Sequence, residues 1–186
     1  DETSPTEVLT VLADAVVDGE RLTELELLHQ CIFNLKAGHE ASTNMLSHGV
    51  HEVLGSPWEF RRLAQNPGLV DSMVEEVLRY QALIQINNRR STKDAELGGL
   101  AMSAGTAVHM IVAAASRDPR QFPDPDRFDM ARRPNRPLSF RPGIHVCAGN
   151  SLARMDAAIA FRKLFGRFPG DAAPGAARNR RTPAIQ

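Results

Sequence analysis

Residues 140–154 read F-R-P-G-I-H-V-C-A-G-N-S-L-A-R and place one of the chain's two cysteines, Cys147, in a loop between Gly143 and Gly149. From about residue 151 to residue 168 apolar residues recur at helical spacing, so the sequence predicts a helix directly after the loop. A cysteine at the start of a helix is favoured as a thiolate, because backbone N–H groups and the positive end of the helix dipole lie near it. An isolated cysteine is more often a small buried apolar residue, but glycines on both sides would let a flat ligand approach the backbone.

A lone thiolate in such a loop suits a metal that takes one protein ligand, and haem iron is the natural candidate. The spacing F-x-x-G-x-H-x-C-x-G-x-x-L-A-R resembles the haem-binding loop of bacterial cytochrome P-450 monooxygenases. The resemblance implies Cys147 as the axial ligand of the iron of haem b and His145 as a contact of one propionate. It also implies that the loop around the cofactor is formed by Phe140, Gly143 and Gly149. The sequence departs from the family at Arg141, where a second glycine is usual.

Length and composition fit one soluble domain with a sizeable core. Lys plus Arg equals Asp plus Glu at 22 each, which argues against bulk binding to nucleic acid or to a membrane surface. Cys31 lies in an apolar helical run and Cys147 in a loop, so no disulfide framework is indicated and a reducing cytoplasm is expected. No apolar run reaches about eighteen residues, and D-E-T-S-P at the start is neither a signal peptide nor an anchor.

The first part of the chain predicts two helices. A capping box at Ser4 to Glu7 predicts a helix over about 5–17, ended by Asp18 and Gly19. A second capping box, Thr23 to Glu26, opens a long helix that runs to about residue 54 and is closed by Gly55. Four histidines lie on this helix, but none has a spacing such as H-E-x-x-H that would indicate zinc.

The long helix contains A-G-H-E-A-S-T, residues 37–43. Gly38 costs about 1 kcal/mol against alanine inside a helix, so we expect something to require the missing Cβ. A packing glycine beside a solvated Glu40 would explain the segment equally well. The segment resembles the oxygen-binding groove of the cytochrome P-450 central helix, which implies that Gly38 makes room for dioxygen and that Glu40 and Ser42 pass protons. Ala41 stands where the family usually has threonine.

A short helix is predicted from a cap at S-P-W-E, residues 56–59, and another over about 69–80. On the second helix Glu76 and Arg79 are three residues apart and can pair. Such a pair is usually an exposed one, but here it resembles the family's E-x-x-R motif, whose buried pair also binds an arginine from a later loop. Arg132 matches that third position better than Arg133.

Residues 81–111 predict short strands, with turns at residues 98–99 and 104–105. By resemblance Arg89 reaches a haem propionate, whereas Arg90 faces outward. The proline-rich residues 119–142 predict irregular structure, which could be a disordered linker, although three phenylalanines favour a packed loop. This stretch resembles the family's meander, and the tail after Pro169 is expected to be loose.

Together these features predict a mainly α fold with a small β component, residues 1–186 being the C-terminal half of a single cytochrome P-450 domain whose N-terminal half is absent. The implied activity is a haem-thiolate monooxygenase that uses dioxygen to hydroxylate or epoxidise a small organic substrate. A ferredoxin or flavoprotein would supply electrons. The alternative is a truncated, non-catalytic remnant that binds haem weakly or not at all.

Overall fold

The computed structural model describes residues 7–168, and these divide between Ser42 and Thr43 into two compact units. The predicted cap at Ser4 and the predicted loose tail at 170–186 lie outside the described residues. No helix in the described part is both long and apolar enough to cross a membrane.

The first unit begins with helix α1, Glu7–Asp14, followed by a hairpin of strands β1, Val16–Val17, and β2, Glu20–Arg21. The prediction that the first helix extends to residue 17 was therefore wrong. Asp18 and Gly19 both have positive φ, 53° and 83°, as a two-residue hairpin turn requires. This turn pairs the two valines with the following strand, and β-branched residues favour the extended conformation.

Helix α2, Glu24–Gly55, confirms the predicted long helix and its cap. The Glu26 N–H donates to Thr23 Oγ1 at 3.3 Å, and the Thr23 N–H donates to Glu26 Oε2 at 2.9 Å. These hydrogen bonds hold the pKa of Glu26 below its usual value. None of the described side chains of the first unit is buried, whereas the part of α2 beyond Ser42 contributes Met45 and Val53 to the core of the second unit.

The helices of the second unit confirm the predicted elements. They are α3 (Pro57–Gln65), a 3-10 turn (Pro67–Leu69), α4 (Val70–Gln81), α5 (Val112–Ala115) and α6 (Asn150–Arg167). The predicted side-chain cap of α3 is absent: Ser56 occupies the N-cap position without a side-chain hydrogen bond. Glu59 cannot complete a capping box, because its carboxylate is buried against Arg62.

The strands of the second unit form two small antiparallel sheets. Strand β3, Ile86–Arg90, pairs with β6, Ala107–Ile111. Strand β4, Ala95–Leu97, pairs with β5, Leu100–Met102. Gly98 and Gly99 form the predicted turn, both with positive φ. The mainly α fold class with a small β component is thus confirmed.

The core of the second unit lies between α3, α4, α6 and the end of α2. Its buried apolar side chains are Met45, Val53, Phe60, Leu63, Val70, Met73, Val74, Val77, Leu78, Met130, Ala157, Ala158 and Phe161. Residues 116–149 contain neither α-helix nor strand, yet Phe122 and Met130 are only 2% and 0% exposed. The proline-rich stretch is therefore a packed loop and not a disordered linker.

Candidate functional site

Cys147 lies at the end of this irregular stretch, three residues before α6, and is exposed. Its N–H donates to the carbonyl of Phe140 at 2.9 Å, which closes a loop of the chain. Its carbonyl accepts from the Asn150 N–H at 3.2 Å and from the Asn150 side-chain amide at 2.6 Å. The backbone of Cys147 is thus held on both sides, while the sulfur remains accessible.

Two residues with positive φ shape the loop, Arg141 at 59° and Gly143 at 86°. A Cβ built at Gly143 or Gly149 would meet no atom within 4 Å, so the space beside both glycines is open. Ile144 and Val146 are 96% and 54% exposed. An accessible thiol is therefore surrounded by exposed apolar side chains on a loop whose glycines leave room for a bulky group.

The loop is fixed to helix α4 at two points. Ser139 donates its hydroxyl to the carbonyl of Leu78, and Phe140 packs on the core. On α6, Arg154 pairs with Glu75 of α4 through two nitrogens, and its guanidinium lies 4.5 Å from the centre of the Phe140 ring. The candidate site is thereby connected to the most deeply buried helix of the unit.

Glu76 on α4 is the centre of a buried ion cluster. Its Oε1 accepts from Arg79 Nη2 at 2.8 Å, Arg132 Nε at 3.3 Å and the Asp129 N–H at 2.9 Å. Its Oε2 accepts from Arg79 Nε at 2.8 Å and Asn135 Nδ2 at 3.0 Å. Glu76 and Arg79 are both 0% exposed, and the pair joins Arg132 rather than Arg133.

The two arginines also bind the carbonyls of the irregular stretch. Arg79 donates to the carbonyls of Ser116, Pro125 and Arg127. Arg132 donates to those of Pro123, Asp124 and Arg127. A partly buried segment without regular structure must still satisfy its polar backbone groups, and the guanidinium groups supply the donors that strands or helices would otherwise supply.

A second ion cluster joins α3 to the same stretch. Arg62 Nη1 lies 3.1 Å from both Glu59 Oε1 and Asp129 Oδ1. Burial raises the pKa of Glu59, because the opposing effect of Arg62 is smaller. Burial also acts to raise the pKa of Asp129, but hydrogen bonds from the Ala131 N–H and Arg62 outweigh it and hold that pKa below its usual value.

The predicted propionate residues lie on the surface. Arg89 in β3 is half-buried and donates to the carbonyl of Asn88, and no carboxylate pairs with it among residues 7–168. Arg90 is exposed and donates to the carbonyl of Gly105, as expected for an outward-facing residue. His145 is exposed in the Cys147 loop.

The residues of the predicted oxygen groove all lie on α2 in the first unit. Glu40 is exposed, and Ala41 and Ser42 are half-buried. An open, mainly apolar depression of about 510 Å³ runs along this helix and is lined by Ile32, Leu35, Lys36, His39 and Glu40. Beyond its chain neighbours and the local helix backbone, no described atom lies within 4 Å of a Cβ built at Gly38, so no packing contact among the described residues requires this glycine.

The residues present fit a haem in the second unit. The donor set near the loop is one accessible thiol, exposed apolar side chains and open space at Gly143 and Gly149. A flat apolar ligand with one metal bond needs these features. Arg89, a guanidinium without a carboxylate partner in the described part of the chain, suits a carboxylate of such a ligand.

Several residues of the site were missed from sequence. Asn135, Asn150 and Arg154 contact predicted residues, and Glu75 pairs with Arg154, which lies within the quoted cysteine stretch. Glu75 directly precedes Glu76 on α4, so its charge could have indicated a second ion pair on this helix. Arg62 and Asp129 are 67 residues apart, and nothing in the sequence links them.

Comparisons with known proteins identify relatives of the chain. The family described as Cytochrome P450 matches residues 61–183. The biotin biosynthesis cytochrome P450 of Bacillus subtilis is 41% identical over 150 residues, which cover 81% of this chain and 38% of the relative. The 6-deoxyerythronolide B hydroxylase of Saccharopolyspora erythraea is 40% identical over 152 residues, covering 82% of this chain and 38% of the relative.

The solved structure of substrate-free CYP109E1 from Bacillus megaterium superposes with a TM-score of 0.80 at 36% identity, covering 86% of this chain and 42% of that one. The chain thus spans less than half the length of the relatives that it matches. The family match extends over more than half of this chain and includes the Cys147 loop and the ion cluster of Glu76. The chain therefore belongs to the cytochrome P450 family.

Proposed function

We propose that the protein is a haem-thiolate monooxygenase that inserts one oxygen atom of dioxygen into a small organic substrate. The observation that carries the proposal is the accessible Cys147 thiol in a loop whose backbone is closed on both sides, in a chain of this family. The names of the relatives cover biotin biosynthesis and 6-deoxyerythronolide B hydroxylation, so the proposal stops at the class of substrate.

In this proposal Cys147 is the axial ligand of haem b, and Arg89 and His145 bind its propionates. Gly143 and Gly149 would leave room for the ring beside the loop, and Phe140 would hold the loop on the core. When bound, the haem supplies the reductive activation of dioxygen, with electrons from a ferredoxin or a flavoprotein. Arginine suits a propionate because its planar fork can bind both carboxylate oxygens.

Proton delivery is assigned to α2. Gly38 would leave space for dioxygen, and the exposed Glu40 carboxylate would transfer protons together with water and Ser42. Ala41 has no hydroxyl to contribute. Adjacent residues of a helix point about 100° apart, so Ser42 cannot simply replace a hydroxyl at position 41.

We also propose that this chain is the C-terminal part of one longer domain. In its support, the first unit leaves Leu25, Leu28, Ile32, Phe33 and Leu35 between 54% and 75% exposed. Contiguous exposed apolar surface of this kind normally contacts another part of a protein. Glu76, Arg79 and Arg132 would hold the haem-binding unit together without contacting the substrate.

The test is the ferrous–CO difference spectrum of the haem-loaded protein, because a thiolate-ligated haem gives a strongly red-shifted Soret band. We expect wild type to show this band and Cys147→Ser to lose it, since a neutral hydroxyl supplies neither the charge nor the soft donor atom. The matched control is Cys31→Ser, which removes the half-buried cysteine of α2 and should keep the band. A red-shifted band in Cys147→Ser would contradict the assignment, and its absence from wild type would favour a non-catalytic remnant.

A further inference from the structure

We propose that Arg154 is a positioning residue for Cys147, acting through the two residues that bind the cysteine backbone, Phe140 and Asn150. The inference concerns the shape of the Cys147 loop and rests on the proposed function only for its consequence at the haem. The contacts of Arg154 are with Glu75, Asn150 and Phe140 and not with Cys147, so its effect on Cys147 is indirect.

The first contact orients the Asn150 amide. Arg154 Nη1 donates to Asn150 Oδ1 at 3.2 Å and to the Asn150 carbonyl at 3.4 Å. An amide side chain has one oxygen acceptor and one NH₂ donor group, so fixing the oxygen on a guanidinium directs the NH₂ group elsewhere. That group donates to the Cys147 carbonyl at 2.6 Å. Arg154 thereby selects the amide orientation that binds the cysteine.

The second contact holds the other side of the loop. The guanidinium carbon of Arg154 lies 4.5 Å from the centre of the Phe140 ring, within the range of a cation–π contact. The carbonyl of Phe140 accepts the Cys147 N–H at 2.9 Å. Arg154 therefore contacts both residues that bind the cysteine backbone. These are Phe140, whose carbonyl accepts the cysteine N–H, and Asn150, whose amide donates to the cysteine carbonyl.

Glu75 fixes the guanidinium itself. It binds Arg154 Nε and Nη2 through its two oxygens, and the side chains are only 25% and 38% exposed. Glu75 lies next to Glu76 on α4, and the carboxylate of Glu76 is held by the buried ion cluster. The position of the cysteine loop is therefore tied to the most deeply buried helix of the unit, in the way that residues behind a metal ligand orient it.

A second ion pair between the same helices provides a matched control. Arg162 of α6 pairs with Asp71 of α4, and their side chains are 50% and 71% exposed. Among the described residues, Arg162 makes no hydrogen bond or ion pair with the Cys147 loop. Arg154→Gln and Arg162→Gln thus remove the same charge from the same helix pair, but only the first releases Phe140 and Asn150.

The experiment measures backbone hydrogen exchange at Cys147 and the ferrous–CO spectrum in the haem-loaded full-length protein. We expect Arg154→Gln to speed exchange of the Cys147 N–H by about tenfold relative to residues within α6, because the closing hydrogen bond loosens. Arg162→Gln should leave that ratio unchanged. Arg154→Lys, which keeps the charge but not the fork, should restore only part of the protection. With Asn150→Ala already present, Arg154→Gln should speed exchange by less than it does alone, because only the contact with Phe140 is then left to lose.

Equal exchange ratios in Arg154→Gln and Arg162→Gln, or a uniform loss of protection along α6, would overturn the inference and leave Arg154 a structural ion pair. A fully additive effect, in which Arg154→Gln speeds exchange by the same factor with and without Asn150→Ala, would also overturn it. Exchange does not depend on a thiolate band. A wild type without that band, but with the expected exchange pattern, would therefore refute the proposed function and support the role of Arg154.

Discussion

Arg62 pairs with two carboxylates whose pKa values are shifted in opposite directions. Its Nη1 lies 3.1 Å from an oxygen of Glu59 and from one of Asp129. Glu59 is almost fully buried, and burial raises its pKa despite the arginine. Asp129 is partly exposed and accepts the Ala131 N–H, so its pKa is lowered. The two acids should therefore make opposite contributions to the pH dependence of folding.

We expect Glu59→Gln and Asp129→Asn to change that pH dependence in opposite directions. A raised folded-state pKa means that Glu59 contributes stability below its unfolded pKa, near pH 4.5, and loses it as pH rises through the folded value. Wild type should therefore lose stability relative to Glu59→Gln as pH rises from about 4 towards neutral pH. Asp129 contributes stability above its unfolded pKa, near pH 4, and loses it as pH falls through the folded value.

Urea unfolding of the haem-loaded protein across this pH range measures both differences. Wild type should be more stable than Asp129→Asn at neutral pH, and the difference should shrink on acidification. If the stability difference between wild type and variant changed with pH in the same direction for both variants, the two pKa values would not be shifted in opposite directions.

At the residue scale the sequence predicted the contacts that follow a local rule or a motif. Glu76 and Arg79 are one helical turn apart, and the structure places Arg132 against Glu76. Asn135 could not be found, because it lies 59 residues from Glu76 in an irregular segment without periodicity. Hydrogen bonds within such a loop depend on the path of the backbone, which local sequence does not determine.

Two glycines of helix α2 differ in a way that their local sequence does not reveal. A Cβ built at Gly49 would overlap the ring of Phe161 on α6, whereas one built at Gly38 meets no described atom within 4 Å. Gly49 is therefore the glycine that allows close helix packing in the second unit. The sequence drew attention to Gly38 instead, because that residue lies in a motif.

We expect Gly49→Ala to destabilise the folded protein and Gly38→Ala to leave its stability unchanged or raise it. Gly49→Ala places a methyl group where the buried ring of Phe161 lies, and overpacking of this kind typically costs about 1–3 kcal/mol. The second gains up to about 1 kcal/mol of helix propensity. Thermal unfolding of the haem-free and haem-loaded forms compares them.

The proposed role of Gly38 adds a distinction to this comparison. If this glycine makes room for dioxygen, Gly38→Ala should lower product formed per reduced cofactor consumed without lowering the melting temperature. A Gly38→Ala protein that unfolds as easily as Gly49→Ala would show that an undescribed packing contact needs the glycine.

Elements were predicted well where their boundaries are set by local chemistry. The capping box at Thr23 and Glu26 fixed the start of α2, and the glycine pair 98–99 fixed a hairpin. The end of α1 was missed, because Val16 and Val17 continue the apolar pattern of the helix but pair as a strand. Helix α6 was predicted, yet its residues Leu152, Met155 and Ile159 are 42–56% exposed. Apolar periodicity predicts the apolar face of a helix but not which element packs against that face.

At the scale of the second unit, the Glu76 cluster connects secondary structure to a long segment that has none. Six prolines between residues 119 and 142 remove backbone donors and prevent a regular ladder. Arg79 and Arg132 replace that ladder by binding carbonyls from residue 116 to residue 127. The segment is therefore held by side chains of buried residues, and its order should depend on the whole unit being folded.

The last prediction concerns Arg79→Lys. Lysine keeps the charge but has three donors instead of five and no planar fork, so it cannot bind both oxygens of Glu76 and three carbonyls. Breaking a buried pair typically costs about 3–5 kcal/mol, a large part of the 5–15 kcal/mol that stabilises a domain. The control is Arg162→Lys, whose pairing partner Asp71 is 71% exposed and which should cost less than about 1 kcal/mol. Urea unfolding is followed by helical circular dichroism and by tryptic cleavage within residues 116–149.

We expect both probes of Arg79→Lys to shift together to lower urea, because the cluster joins this stretch to α4. Early cleavage with an unchanged helical transition would instead show that the cluster orders only the irregular stretch and does not determine the stability of the unit.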